Sequence, residues 1–284
     1  MRQVAVVTDA EHPGLRPDDV PLDRAFRGLD REVVPVPWGA VIEAGAFELV
    51  LVRSPWDYFL RPEAFLGWID ALEAPVVNAP AVLRWNHDKR YLVELAERGA
   101  GRIPRTAMLG ADERPARADE LLARVDAGRA VVKPVVSAGA HRTRVVREGD
   151  GIEWTDEDVG AYFVQEFVDA VVESGEWSLV FLGGEYSHAV RKTATPGDFR
   201  VQEEFGGAVL VEEPSAATLA AARDVLVGVP GGDRLAYARV DLVEDRERGP
   251  LLMELELIEP ELFLRSADGA ATKLARAALR SAGA

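Results

Sequence analysis

The sequence contains no cysteine among its 284 residues and only four histidines. The first absence excludes disulfides and thiolate metal sites, and it fits a reducing compartment. The histidines are too far apart along the chain for a zinc-like spacing. No run approaches the 18 apolar residues of a membrane-spanning helix, and the first residues carry too short an apolar run for a signal peptide. We therefore expect a cytoplasmic protein without a membrane span.

Positive charge is also scarce. The chain has 33 lysines and arginines against 48 aspartates and glutamates, which gives a net charge of −15. This balance argues against a general surface for nucleic acid or for an anionic membrane. An anionic ligand would therefore need its own local basic groups or a metal ion.

Short apolar strands alternate with helical or irregular segments over the first 80 or so residues, which is typical of a small open α/β domain. From residue 103 onward the pattern favours antiparallel sheets. After the first domain, the predicted strands are 130–136, 142–146 and 162–168, and the predicted hairpins are 177–191 and 236–258. The predicted helices are 88–98, 118–125, 215–227 and 269–282. The sequence therefore predicts an α/β domain followed by an α+β region.

The hairpin at 236–258 carries the clearest chemical signal. Its second strand, LLMELEL, alternates apolar and acidic residues, so Glu254 and Glu256 lie about 7 Å apart on one face. A symmetric turn places Asp241 opposite Glu254, and Arg239 opposite Glu256. Converging carboxylates are costly to keep ionised, and Mg²⁺ or Mn²⁺ would remove that cost. A solvated face with cross-strand ion pairs explains this hairpin equally well.

A lysine, Lys133, interrupts the apolar strand AVVKPVV. Such a lysine is either an edge or snorkelling residue, or a cation directed at an anionic ligand. The turn that follows, at 137–141, is small and polar, and its backbone N–H groups could cradle a phosphate.

The hairpin at 177–191 turns at a Gly-Gly pair, which predicts that Glu176 pairs with Arg191. Lys192 follows, and Arg200 lies in the polar loop beyond it. Three cations within ten positions form either a local positive site or a solvated loop.

Five segments in this order resemble the ATP-grasp superfamily of carboxylate–amine ligases. Within the superfamily, these motif sequences are similar to those of the group that contains prokaryotic glutathione synthetases, ribosomal-protein glutamyl ligases and the O-ureido-serine cyclo-ligase of D-cycloserine biosynthesis. The similarity is greater to the last of these. The segments are NHDKRYL (86–92), VVKPVVSAGA (131–140), VQEFV (164–168), RKTATPGDFRVQEEFGG (191–207) and ARVDLV…LLMELELIEP (238–260). Two departures from the pattern are Glu256, where many glutathione synthetase relatives have asparagine, and a phosphate loop poor in glycine.

The resemblance implies a fold and a set of ligand-binding residues. The fold is an N-terminal open α/β domain followed by two antiparallel-sheet subdomains that clamp a nucleotide. The implied division is 1–85 for the substrate-side domain, 86–168 for a linker helix and small lid, and 169–284 for the large subdomain. ATP would be held by Lys89, Lys133 and Lys192, by the hinge Gln165, Glu166, Phe167 and Val168, and by Glu173 at the ribose. Two Mg²⁺ ions, with Mn²⁺ as a substitute, would be held by Asp241, Glu254 and Glu256.

The segment RSPWDY at 53–58 resembles a loop that contributes to the substrate pocket in glutathione synthetases. Arg53 would pair with a substrate carboxylate, Asp57 with an ammonium group, and Tyr58 would form an apolar wall. A packed aromatic turn is the alternative. Arg239, on the carboxylate face, is a further candidate for contact with the substrate.

The implied activity is an ATP- and magnesium-dependent ligation of a small amino-acid-like substrate through an acylphosphate, releasing ADP and phosphate, with ring closure as one form. Arg191 and Arg200 are the candidates for stabilising the tetrahedral oxyanion. The alternatives are a non-catalytic nucleotide-binding protein, a peptide-bond ligase of the glutathione synthetase or glutamyl ligase type, and a kinase-like transfer. Homodimers are common in the superfamily, so a homodimer is also expected.

Overall fold

A computed structural model describes residues 1–194 and 206–283. Arg200, one of the predicted catalytic residues, lies outside this range. The strands of the described residues form three sheets, which we call the N-terminal, middle and C-terminal sheets. They span residues 2–77, 106–166 and 176–256 respectively. The division of the chain at residues 85 and 168 stays a prediction.

The N-terminal sheet is parallel, with the strand order β2-β1-β3-β4. Its elements are β1 (Arg2–Thr8), α1 (Val20–Arg27), β2 (Arg31–Pro37), β3 (Leu49–Ser54), α2 (Pro62–Asp70), β4 (Val76–Val77) and α3 (Pro80–Asn86). β1 and β3 are largely apolar and buried, as expected for parallel strands covered on both faces. Phe26 of α1 packs on one face and Phe65 of α2 on the other.

The middle sheet is antiparallel, with the order β5-β8-β6-β7. Its elements are β5 (Thr106–Leu109), α5 (Ala118–Val125), β6 (Arg129–Pro134), β7 (Arg144–Arg147) and β8 (Tyr162–Glu166), and α4 (Tyr91–Glu97) precedes it. Val132 and Val164 pack against α5 in a core of their own. Because side chains alternate along a strand, Val131 and Lys133 face the opposite side, where a cavity lies.

The C-terminal sheet is antiparallel, with the order β11-β10-β9-β12-β13. Its elements are α6 (Ala170–Glu173), β9 (Glu176–Leu182), β10 (Glu185–Thr193), β11 (Ala208–Val211), α7 (Ala216–Val227), β12 (Tyr237–Asp245), β13 (Gly249–Glu256) and α8 (Ala270–Ala282). One face packs against α4 and α7 through Leu179 and Phe181. The other face is divided, since Val180 and Tyr237 join the core of the N-terminal sheet and α8, whereas Asp241 faces the cavity.

Buried hydrogen bonds fasten the N-terminal sheet to the C-terminal sheet. The Asn78 amide donates to the carbonyl oxygens of Tyr237 and Leu257, at 3.0 and 2.9 Å. Its side-chain oxygen accepts from the backbone of Ala236 at 2.9 Å. The Tyr237 hydroxyl in turn lies 2.8 Å from the carbonyl oxygen of Val52. The face of the C-terminal sheet that carries the cavity is therefore continuous with a packed interface.

The β12–β13 hairpin has the predicted pairing at its polar end, with Asp241 opposite Glu254 and Arg239 opposite Glu256. The turn itself is displaced from the predicted centre by half a residue, because Asp245 pairs with Gly249. An extra residue in β13 then shifts the register next to Asp241 and restores the predicted partners.

The predicted pairing in the other hairpin is wrong. Glu176 pairs with Lys192 rather than with Arg191, because the register shifts between Tyr186 and His188. The extra residue in β10 moves each later residue of the strand to a new partner on β9. Within the described residues, no helix combines the length and apolar character needed to cross a bilayer.

Candidate functional site

A cavity of about 760 Å³ lies between the middle and C-terminal sheets. Lys133 and the segment 165–168 line it from the middle sheet. Asp241, Glu254 and Glu256 line it from the C-terminal sheet. Loops that include Arg16, Trp56, Tyr58 and Glu259 line one end of it. The topology therefore brings together segments that are far apart in the sequence.

Three carboxylates converge on the floor of this cavity. Asp241, Glu254 and Glu256 each offer an oxygen, and these oxygens lie within 4.8 Å of one another. Although burial opposes it, the neighbouring Arg239 and Lys192 cations lower the pKa of Asp241 to about 2. Burial raises the pKa of Glu256 to about 7 in spite of its contact with Arg239. A set of oxygen donors this close fits a hard cation such as Mg²⁺.

Two lysines are paired with carboxylates of this site. Lys89 Nζ lies 2.7 Å from Glu254 Oε1 and donates to the carbonyl oxygen of Ser137 at 2.7 Å. Lys192 Nζ lies 2.6 Å from Glu176 and 3.4 Å from Asp241. Arg239 contacts both Asp241 and Glu256. These cations and carboxylates of the site therefore offset one another's charge.

Lys133 differs from the other cations of the site. Its ammonium group lines the cavity but forms no hydrogen bond or ion pair with any residue of the described part of the chain. Burial lowers its pKa to about 8. An unpaired cation held in a partly desolvated position is an electrostatic cost that an anionic ligand would remove.

The hinge segment Gln165, Glu166, Phe167 and Val168 lines the cavity as a group. The Glu166 carboxylate is already engaged, since it accepts from Arg105 Nε at 2.8 Å and contacts Arg248. The backbone N–H of Phe167 donates to the carbonyl oxygen of Arg129 at 3.0 Å. Glu166 therefore ties the segment 165–168 to Arg105, before the middle sheet, and to Arg248, at the turn of the β12–β13 hairpin.

The structure corrects the placement of Arg53 and Asp57, which do not line the cavity. Arg53 is 1% exposed, and its guanidinium donates to Asp19 at 2.8 Å and to the carbonyl oxygen of Pro260 at 2.9 Å. Asp57 accepts from the indole nitrogen of Trp38. Both side chains thus have partners within the protein and do not face the cavity. Tyr58 and Arg239, predicted with them, do line the cavity.

Two other predicted residues also lie outside the cavity. The Glu173 carboxylate is on the surface, 3.2 Å from Arg246, and the acid that lines the cavity nearby is Glu176. Arg191 points away from Lys192, as successive strand residues must, and pairs with Glu212 at 2.9 Å. The role at the ribose that the resemblance implied for Glu173 is not supported, because this residue of α6 pairs with Arg246 at the surface.

The charged residues that line the cavity include several that were not predicted as site residues, among them Arg16, Glu176 and Glu259. Glu176 could have been found from its alternation with Ser178, whose hydroxyl donates to Asp241 at 2.6 Å. Glu259 follows the carboxylate strand in LELIEPEL. Arg16 lies in a loop without a regular pattern, so no sequence signal pointed to it.

This architecture, with its carboxylate cluster and facing lysines, defines an ATP-grasp ligase, an enzyme that forms C–N bonds. The family model described as D-cycloserine synthetase DcsG, N-terminal domain, matches residues 4–78. The cycloserine biosynthesis protein DcsG of Streptomyces lavendulae is 32% identical over 300 residues, which cover 96% of this chain and 97% of that protein. The chain therefore belongs to the DcsG family.

Solved structures agree with this fold. The crystal structure of D-cycloserine synthetase DcsG has a TM-score of 0.83 and 29% identity, covering 98% of this chain and 99% of that one. D-alanine–D-alanine ligase from Bacillus anthracis has a TM-score of 0.68 and 17% identity, covering 99% and 97%. A RimK domain ATP-grasp protein from Sphaerobacter thermophilus has a TM-score of 0.69 and 19% identity, covering 98% and 99%. The predicted ATP-grasp fold is confirmed.

Proposed function

We propose that the chain uses ATP to close a ring in a small amino-acid-like substrate during cycloserine biosynthesis, by joining its carboxylate to a nitrogen of the same molecule. The observation that carries the ATP-dependent chemistry is the cluster of Asp241, Glu254 and Glu256 facing an unpaired Lys133. Identity of 32% to the Streptomyces protein over nearly the whole chain supports the choice of pathway. Its need for ATP is consistent with a cytoplasmic location.

Asp241, Glu254 and Glu256 would hold the magnesium ions. When bound, these ions neutralise phosphate charge and polarise the transferred group. Lys89 and Lys192 exchange their carboxylate partners for ATP phosphates, and Lys133 gains its first partner. The segment 165–168 would then line the adenine.

The reaction proceeds in two steps under this proposal. The substrate carboxylate attacks the γ-phosphorus, and ADP leaves, which gives an acylphosphate. The nitrogen nucleophile then attacks the acyl carbon, and phosphate leaves as the C–N bond forms. Arg239, whose guanidinium lines the cavity beside the carboxylates, would stabilise the oxyanion of the tetrahedral intermediate. Such transfers depend mainly on positioning and on charge stabilisation.

The proposal is tested by incubating the protein with ATP, Mg²⁺ and either enantiomer of O-ureido-serine, then measuring ADP, phosphate and product mass. Equal amounts of ADP, phosphate and a cyclic product support it. ADP release only after a second amine is added would identify a peptide-bond ligase. A stable phosphorylated product would identify a kinase-like transfer, and nucleotide binding without turnover of any amino acid would identify a non-catalytic protein.

ATP affinity is expected to fall as the pH rises above 8. Lys133 is protonated in the free protein below its pKa of about 8, and only the protonated form attracts phosphate. Above that pH a proton must be taken up on binding, so affinity falls by up to about tenfold per pH unit. Calorimetric titration with a non-hydrolysable ATP analogue between pH 7 and 9.5 measures this change.

The matched variant for this measurement is Lys133→Met. It should bind the analogue about tenfold more weakly at pH 7 and show little further change up to pH 9. A thermal midpoint equal to that of the wild type would show that the lysine has no structural partner to lose. A wild-type pH profile that persists in Lys133→Met would contradict the assignment.

A further inference from the structure

One end of the cavity contains an arginine whose charge has no partner. Arg16, in the loop after β1, lies over the Trp56 ring with its guanidinium carbon 4.1 Å from the ring centre. Its Nε is buried without a hydrogen bond, and the side chain lines the cavity. No residue of the described part of the chain forms an ion pair with it. The guanidinium is therefore placed to receive an anion.

A carboxylate lies at the same end of the cavity. The backbone carbonyl of Glu259 accepts from the indole nitrogen of Trp56 at 3.1 Å, so Trp56 contacts both Arg16 and the segment that carries Glu259. The Glu259 carboxylate lines the cavity and forms no ion pair within the described residues. Burial, together with the neighbouring Glu256 and Glu254 carboxylates, raises the pKa of Glu259 to about 8. A bound cation would therefore favour the ionised form of Glu259.

The other acids nearby are already engaged. Asp18 accepts from the backbone N–H of Leu262 at 3.0 Å and lies 4.0 Å from Arg53. Glu261 pairs with Arg265 at 2.9 Å. Glu259 is therefore the acid at this end of the cavity that remains open to a ligand.

We propose that Arg16 and Glu259 form the recognition site for an α-amino acid, with Arg16 binding its carboxylate and Glu259 its ammonium group. This inference deepens the proposed function and rests on it. An amino acid carries the two charges that these side chains lack, and Trp56 and Tyr58 would pack on its apolar atoms. The structure thus assigns to Arg16 and Glu259 the roles that the sequence pattern gave to Arg53 and Asp57.

This position also suits the chemistry. Arg239 donates to the carbonyl oxygen of Glu261 at 3.2 Å while it contacts Asp241 and Glu256. The segment after β13 is thereby held beside the carboxylate cluster. A substrate carboxylate on Arg16 would be bound in the same cavity as the ATP phosphates.

The test uses O-ureido-serine and its desamino analogue, 3-(ureidooxy)propanoic acid, as substrates for the wild type, Arg16→Gln and Glu259→Gln. Both variants should raise the KM for O-ureido-serine by about 10- to 100-fold, the worth of one charge-assisted hydrogen bond. Their KM for ATP should stay within about twofold. The wild type should prefer O-ureido-serine to the analogue by a similar factor, and Glu259→Gln should lose this preference, a change that general damage to the fold would not produce.

Controls remove a comparable charge outside the cavity. Arg61 lies over the Trp38 ring at 4.6 Å, so Arg61→Gln matches Arg16→Gln, and the exposed Glu63 provides Glu63→Gln. Both should retain wild-type KM values. If either cavity variant fails to fold, Arg16→Lys and Glu259→Asp replace it and should show the same KM effects in weaker form.

Calorimetric binding of O-ureido-serine separates this inference from the proposed function. Binding that is lost in both cavity variants supports the recognition site even if no turnover is seen, whereas absence of turnover alone counts against the proposed function. Unchanged KM and affinity in Arg16→Gln and Glu259→Gln, with an active wild type, would overturn the recognition site and leave the proposed function standing. Absence of binding by the wild type would also overturn it.

Discussion

Glu256→Gln is expected to lower the rate of ATP turnover by about 1000-fold and to leave the folded state intact. Loss of a carboxylate from the cluster weakens charge stabilisation worth several kcal/mol in the transition state, and about 4 kcal/mol corresponds to that factor. Folding should be little affected because burial raises the pKa of Glu256 to about 7, so a neutral amide resembles its protonated form. Arg239 also keeps Asp241 as a partner.

The measurement pairs steady-state ADP release over a range of Mg²⁺ concentrations with the thermal midpoint. Glu247→Gln is the control, because Glu247 is an exposed glutamate at the turn of the same hairpin. That variant should behave as the wild type does. Full activity of Glu256→Gln with the same magnesium dependence would remove Glu256 from the proposed metal site.

Arg53→Met is expected to destabilise the protein by about 3–5 kcal/mol, the usual cost of removing one partner of a buried ion pair. Arg53 and Asp19 are almost fully buried, and their contact of 2.8 Å is joined by the bond from Arg53 to Pro260. Burial already raises the pKa of Asp19 despite the opposing charge of Arg53. Without that cation, the Asp19 carboxylate would be left uncompensated. Urea denaturation measures the change in the free energy of unfolding.

The double variant Arg53→Met/Asp19→Leu shows whether the pair is the cause. It should be less destabilised than the sum of the two single variants, because both charges are then removed. If Arg53→Met instead unfolded like the wild type and raised the KM of the amino acid substrate, Arg53 would return to the substrate pocket predicted from RSPWDY.

Local alternation was enough to predict the carboxylate hairpin. Apolar and polar residues alternate over 239–242 in β12 and over 253–256 in β13, and a two-residue period fixes which side chains share a face. The predicted partners of Asp241 and Arg239 are confirmed, although the turn and the extra residue in β13 cancel each other's effect. The carboxylate cluster could be predicted from the sequence because β12 and β13 are consecutive strands of one hairpin.

Features that depend on distant contacts could not be predicted in the same way. β2 carries two prolines, Pro35 and Pro37, that interrupt the local strand pattern, yet at the edge of the sheet a proline costs little. Arg53 was assigned to the substrate because nothing local shows that Asp19 and Pro260 will enclose it. Arg16 and Glu259 likewise could not be identified as neighbours from the sequence, because their two loops come together only through their contacts with Trp56.

Part of one face of the C-terminal sheet is buried in the same core as the N-terminal sheet, and this has a consequence for how the protein unfolds. Val180 and Tyr237 belong to the same core as Val4 and Leu49 of the N-terminal sheet, and Asn78 bonds the two together, whereas the middle sheet has a separate core. The outer two sheets should therefore melt as one cooperative unit and the middle sheet as a second. Scanning calorimetry should resolve two transitions in the free protein. A bound nucleotide, which touches both units, should merge them into one.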